Sequence, residues 1–202
     1  MNEQGSEFAV QTKQGKYVFT INLPGQHNIT NALAAIAAGI YGGLQLQEIN
    51  NGLKSVYPMK GRWQVVQGFS GVTIVDDSYN SNPVSLLSGL KEICNLYSTK
   101  KITAVIGDML ELGRQGVQYH RRAGEALAQM RIHRLITVGS LAKHIAAGAV
   151  SNGFYREKTV TTRSTEEAIE ILKKEINEHD VIYIKGSRGM QMEKIVEALG
   201  GK

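Results

Sequence analysis

Lys101-Ile102-Thr103-Ala104-Val105-Ile106-Gly107-Asp108 and Val181-Ile182-Tyr183-Ile184-Lys185-Gly186-Ser187-Arg188 decide the fold. Each is a nearly unbroken apolar run that ends in glycine and charge. A strand that is apolar at every position is covered on both faces, as happens inside a parallel sheet flanked by helices. Working outward, strands are expected over 63–67, 72–76, 101–106, 134–138, 158–162 and 181–185, and helices near 84–97, 117–131, 141–149, 165–178 and 190–199. Right-handed crossovers then give an α/β, Rossmann-like domain with a mostly parallel sheet and helices on both faces. Ser164 and Glu167 have the spacing of a reciprocal capping box at one helix start.

Upstream of Trp63 the pattern changes. Residues 7–12 and 16–23 alternate around Lys13-Gln14-Gly15, which reads as a β-hairpin, and helical spacing follows over 28–41 and 47–56. Two strands alone are marginal in water, and this opening lacks the material for its own core. Tyr57-Pro58-Met59-Lys60-Gly61 is the joint, so the expected organisation is 1–56 followed by 57–202.

Composition excludes several classes. The chain has 202 residues, 42% hydrophobic and 20% charged, with 22 Gly and 3 Pro, as in ordinary globular domains. Its apolar stretches are too short for a membrane span, and no secretory leader pattern opens it. The single cysteine, Cys94, lies in an apolar helical pattern where an inert thiol is expected, and a reducing cytoplasm fits best. The net charge of +5 comes from interspersed residues with no basic run longer than a pair, so nucleic acid is not an expected partner.

In open α/β sheets ligands bind beyond the C-terminal strand ends. Three polar segments fall there: Asp76-Asp77-Ser78-Tyr79-Asn80-Ser81-Asn82-Pro83, Gly107-Asp108-Met109-Leu110-Glu111-Leu112-Gly113 and Lys185-Gly186-Ser187-Arg188-Gly189-Met190. Asx and Ser side chains at such places also cap helices, and Asp108 and Glu111 read equally as solvated loop charges. Lys185 and Arg188 beside two glycines suit an anion, or a solvated turn. The phosphate-cradling G-x-x-x-x-G-K-[ST] and G-x-G-x-x-G patterns are absent, and the five histidines have no metal-ligand spacing. Local physics stops at a nucleotide- or anion-binding α/β domain.

As a set these segments resemble the Mur ligases. Gly25-Gln26-His27-Asn28-Ile29-Thr30-Asn31-Ala32-Leu33-Ala34-Ala35 is similar to a segment near the end of their central ATPase domain, and Gly61-Arg62-Trp63-Gln64 to the entry of their C-terminal domain. The three strand-end segments resemble the branch that adds D-alanyl-D-alanine to UDP-MurNAc-tripeptide in peptidoglycan precursor synthesis. The resemblance implies an amide ligase using ATP and Mg²⁺, in which an acyl phosphate is attacked by the dipeptide amine. It implies nucleotide contacts from Asn28 and Asn31 (adenine), Arg62 (phosphates), Asp77 (ribose), Tyr79 and Asn80. For the dipeptide it implies Lys185, Ser187 and Arg188 near the carboxylate and Asp108 or Glu111 near the ammonium. Gln26 and Gly189 stand where the branch often has Arg and Ser. His120 falls where it often has His, and also reads as a helix-terminal His.

The N-terminal and central domains of the family are largely missing from these 202 residues, so the chain is expected to be a fragment, without catalytic or metal-binding residues of its own and inactive alone. A ligase adding another amino acid, and a stand-alone nucleotide-binding module, are the other readings.

Overall fold

The computed structural model describes residues 5–13 and 15–200. The chain divides into two compact units, Met1–Met59 and Lys60–Lys202.

In the first unit β1 (Ser6–Thr12) and β2 (Gly15–Ile21) pair antiparallel, with Phe8 opposite Phe19. Gln14 of the expected turn lies outside the described residues. Helices α1 (Gln26–Tyr41) and α2 (Leu46–Lys54) follow. The expectation of no separate core is corrected here: Phe19, Ile21, Ala32, Ile36, Ile49 and Leu53 are buried together. Gly39 makes this possible, because a Cβ there would lie 2.8 Å from Ile49 Cγ1. Asn50 Oδ1 accepts from the Thr20 amide at 2.9 Å and ties α2 to β2. The cluster is small, and Leu33, Ile40, Tyr41 and Leu44 stay exposed.

The second unit contains β3 (Gln64–Gln67), β4 (Thr73–Asp77), α3 (Pro83–Leu96), β5 (Ile102–Gly107), α4 (Gly116–Leu127) and β6 (Arg134–Val138). It continues through α5 (Lys143–Ser151), β7 (Thr159–Thr162), α6 (Thr165–Glu175), β8 (Val181–Lys185) and α7 (Glu193–Leu199). The sheet runs β3-β4-β8-β5-β6-β7, parallel except where β3 meets β4. The expected mostly parallel sheet with helices on both faces is therefore present.

Alternate side chains on each strand enter opposite cores, as the two-residue period requires. Ala104, Ile106, Val181 and Tyr183 pack with α3, α4 and α5. Val105, Ile182 and Ile184 pack with α6 and α7. The chain leaving β8 thus turns to one face, while the chains leaving its neighbours β4 and β5 turn to the other. That divergence is the switch point at which such sheets open a crevice.

Local chemistry explains most boundaries. Asn82 caps α3, its Oδ1 accepting from the Ser85 amide at 2.8 Å while Ser85 Oγ accepts from the Asn82 amide at 3.1 Å, and Pro83 occupies the first turn. Ser164 caps α6 through the Glu167 amide, but Glu167 Oε2 accepts from the Arg163 amide, so the expected reciprocal bond to Ser164 shifts by one residue. The last expected helix is broken by Gln191, whose φ of 50° interrupts the chain between a 3₁₀ turn and α7.

Gly89 on α3 faces the ring of Tyr183, and a Cβ there would overlap the phenol oxygen. Gly89→Ala is expected to lower unfolding stability by about 2 kcal/mol in chemical denaturation. In the Tyr183→Phe background its cost should be smaller, because the overlapping atom is gone.

Candidate functional site at the strand ends

Asp77 ends β4 directly opposite Lys185, which ends β8. The Lys185 ammonium donates to Asp77 Oδ2 at 2.6 Å and to the Asn80 carbonyl at 3.0 Å. Its side chain is 4% exposed and that of Asp77 18%. Tyr183, two residues earlier and therefore on the same strand face, donates its hydroxyl to the same Asp77 oxygen at 2.8 Å. Burial and the adjacent Asp77 carboxylate push the Tyr183 phenol well above its usual range, so it remains a donor.

The loop after β5 is pinned by both neighbouring strand ends. The Leu110 amide donates to Ser187 Oγ at 2.8 Å, and the Ser187 amide donates to the Asp108 carbonyl at 3.0 Å. Asp108 Oδ1 accepts from the Leu141 and Ala142 amides at 3.0 and 2.6 Å, at the turn entering α5. Gly139 admits that carboxylate: its φ is 114°, and a Cβ would lie 2.5 Å from Asp108 Oδ1. The Met109 amide donates to His120 Nε2 at 2.9 Å, and His120 Nδ1 lies 2.7 Å from the Gly116 carbonyl.

On the outside of this framework stands Tyr79, 41% exposed. Its amide donates to the Gly61 carbonyl at 2.8 Å, which draws the Gly61-Arg62 corner to the ring. Arg62 lies 4.3 Å and Arg188 5.8 Å from the ring centre, within cation–π range. Arg188 also pairs with Glu193 at 3.4 Å.

The second unit thus brings together Arg62, Asp77, Tyr79, Asn80, Lys185, Ser187 and Arg188 at one sheet edge, with Asp108 and Glu111 on the adjoining loop. Exposure divides them. Asp108, Lys185 and Ser187 are buried and bonded within the protein, whereas Arg62, Tyr79, Asn80, Glu111 and Arg188 face solvent. Asn28 and Asn31 sit in the first turns of α1 in the other unit. Asn28 donates to the Pro24 carbonyl at 2.7 Å and Asn31 is exposed. Sequence reasoning missed Tyr183 and the Gly139 turn. A phenol within an aliphatic run, two residues before a lysine, was the available signal, since a buried hydroxyl needs a partner. Cys94 is half-buried, and burial raises its thiol, consistent with an inert side chain.

Residues 61–188 match the family model for the Mur ligase glutamate ligase domain, and residues 1–39 match that for the Mur ligase middle domain. The chain belongs to the Mur ligase family. It is 32% identical, over 98% of its length, to the UDP-N-acetylmuramoyl-tripeptide–D-alanyl-D-alanine ligase of Bacillus subtilis and 35% identical, over 98%, to that of Escherichia coli. It covers 43% and 42% of those proteins, so it spans less than half the length of the curated relatives it matches. A crystal structure of MurF from Acinetobacter baumannii superimposes with a TM-score of 0.86 at 28% identity, over 98% of this chain and 42% of that one. Among the described residues no helix is long and apolar enough to cross a membrane.

Two outcomes are expected from this geometry. Lys185→Met should lower unfolding stability by about 3 kcal/mol, because it leaves the Asp77 carboxylate without its cation, held by the Tyr183 hydroxyl, and takes the donor from the Asn80 carbonyl, while Asp77→Asn, which keeps an oxygen for Lys185, should cost less. Stability should also fall with acid. Burial holds the His120 imidazole below its usual range, opposed by the Gly116 carbonyl and Asp108 and reinforced by His144. As pH drops below about 6.5 the unfolded chain therefore binds its proton first, so stability is full above that value and declines beneath it. His133 is shifted in the same direction, so urea titrations of His120→Gln against the parent isolate the His120 contribution.

Proposed function

We propose that this chain is the C-terminal portion of a ligase that joins D-alanyl-D-alanine to UDP-MurNAc-tripeptide at the expense of ATP, a step of peptidoglycan precursor synthesis in the cytoplasm. The observation that carries the reading is the exposed Tyr79 ring with guanidiniums of Arg62 and Arg188 beside it, at the switch-point edge of a Mur ligase domain. The names of the relatives support the same substrates. We assign 1–56 to the end of the central ATP-binding domain and 57–202 to the C-terminal domain.

The exposed cations and aromatic ring fit a nucleotide, whose bound form supplies activation of the tripeptide carboxylate. Arg62 meets phosphate oxygens, a task suited to a planar fork of donors. Asp77 has one oxygen committed to Tyr183 and Lys185, and its second is the acceptor for a ribose hydroxyl. Tyr79 and Asn80 stand exposed beside it on the same loop, the ring and the amide offering a stacking face and a donor and acceptor. Lys185 and Ser187 act as framework for the dipeptide carboxylate, with Arg188 as its exposed contact. Glu111, exposed where Asp108 is not, orients the ammonium and helps accept its proton. Mg²⁺ would enter the longer ligase with the nucleotide phosphates; among the described residues no three His, Cys, Asp or Glu side chains are grouped to hold a metal ion.

The 202-residue chain alone is expected not to ligate, because no phosphate-loop pattern occurs in it. Phosphate release would be assayed with ATP, UDP-MurNAc-tripeptide and D-alanyl-D-alanine, using this chain and the longer protein that carries it. Turnover of the longer protein that requires D-alanyl-D-alanine, with none from the shorter, is the expected pattern, and Arg62→Ala should raise the KM for ATP about tenfold. A strict requirement for another amino acid would overturn the substrate, and ligation by the 202 residues would overturn the division of labour.

A further inference from the structure

His120 lies on α4, eleven residues beyond the Met109 amide that it holds, and is fully buried. A buried imidazole can serve as a packing group, but this one has both ring nitrogens engaged. Nδ1, 2.7 Å from the Gly116 carbonyl, must carry a proton to bond it. Nε2 is then an acceptor, and it receives the Met109 amide at 2.9 Å. The next amide, Leu110, is held by Ser187 Oγ, and the preceding residue, Asp108, is fixed by two amides of the α5 entry. Three consecutive residues are thereby immobilised from three different elements.

The residue that follows is Glu111, exposed, with φ of 65°. A non-glycine residue in the left-handed region persists only where its surroundings over-determine it. The pins on 108–110 supply that determination on one side, and Gly113, with φ of 60°, relaxes the chain on the other. The Glu111 carboxylate therefore has a backbone whose direction depends on the Met109 bond.

We propose that His120 is a positioning residue for the amine substrate, setting the 108–112 loop through Met109 so that Glu111 meets the incoming ammonium; this rests on the reading of Glu111 given above. A proton on Nε2 would turn acceptor into donor, set it against the Met109 N–H, and release the loop. Asp108 and His144 are the titratable groups that act on the ring, with opposite signs.

The test uses the longer ligase for kinetics and the 202-residue chain for amide exchange. His120→Leu, which has no acceptor, should raise the KM for D-alanyl-D-alanine about tenfold while leaving the KM for ATP and kcat within about threefold. The Met109 and Leu110 amides should exchange about tenfold faster. His120→Gln places an oxygen near the Nε2 position and should restore both readings. It should also abolish the rise in dipeptide KM expected of the parent as pH falls beneath the usual imidazole range. Equal rises in both KM values, or faster exchange with an unchanged dipeptide KM, would overturn the proposal. If His120→Leu does not fold, a His120→Gln pH profile identical to that of the parent overturns it. A ligase using a different amine, with the KM split seen for that amine, would sustain the positioning role and overturn only the substrate assignment.

Discussion

The buried ammonium of Lys185 is the constraint around which the strand ends are arranged. A charge withdrawn from water is tolerated only where oxygen atoms replace its hydration, and here they come from Asp77 on β4 and the Asn80 carbonyl in the loop beyond it. The pair lies in parallel register, so β8 and β4 end at the same level. Tyr183 shares the Asp77 oxygen and reaches across to α3, where Gly89 leaves room for it. The Asp77–Lys185 pair and Tyr183 thus link two strands, a helix and the loop that displays Tyr79.

Around this strut the polar residues separate into those that hold and those that are offered. Asp108 caps the entry to α5, Ser187 and His120 receive successive amides of the intervening loop, and Lys185 is enclosed. Arg62, Tyr79, Glu111 and Arg188 remain at the surface, the two guanidiniums beside the Tyr79 ring. Preorganisation follows from this division, since a side chain on a backbone held by several buried bonds loses little freedom when it binds.

The sheet was legible because a strand covered on both faces must be apolar throughout, and Ile102–Ile106 and Val181–Ile184 are. The N-terminal unit was less so. Its core rests on Gly39 letting α1 approach Ile49, a long-range fit that no local pattern announces. Likewise the strand-end motifs were readable as polar segments, but their roles were not. Whether Asp108 is a solvated loop charge or a cap depends on Leu141 and Ala142, thirty-three and thirty-four residues away. Lys185 read as a ligand cation because sequence shows a charge at a turn and conceals the carboxylate that faces it from another strand.

Backbone strain points to the same edge. Of the four non-glycine residues with positive φ among the described residues, Trp63 adjoins Arg62, Glu111 tops the loop after β5, and Gln191 follows the turn that carries Arg188. Each such residue costs on the order of 1 kcal/mol or more, and is kept only where neighbours dictate the conformation. Trp63 is fixed by burial of its indole against Tyr183, 5.7 Å between ring centres. The loops after β5 and β8 are fixed by direct approach of Gly107 and Gly186 to Met192, where a Cβ would lie 2.8 and 2.7 Å away. The same close packing that forbids side chains at those glycines holds the strained corners in place, so the rigidity of the rim originates in the core beneath it.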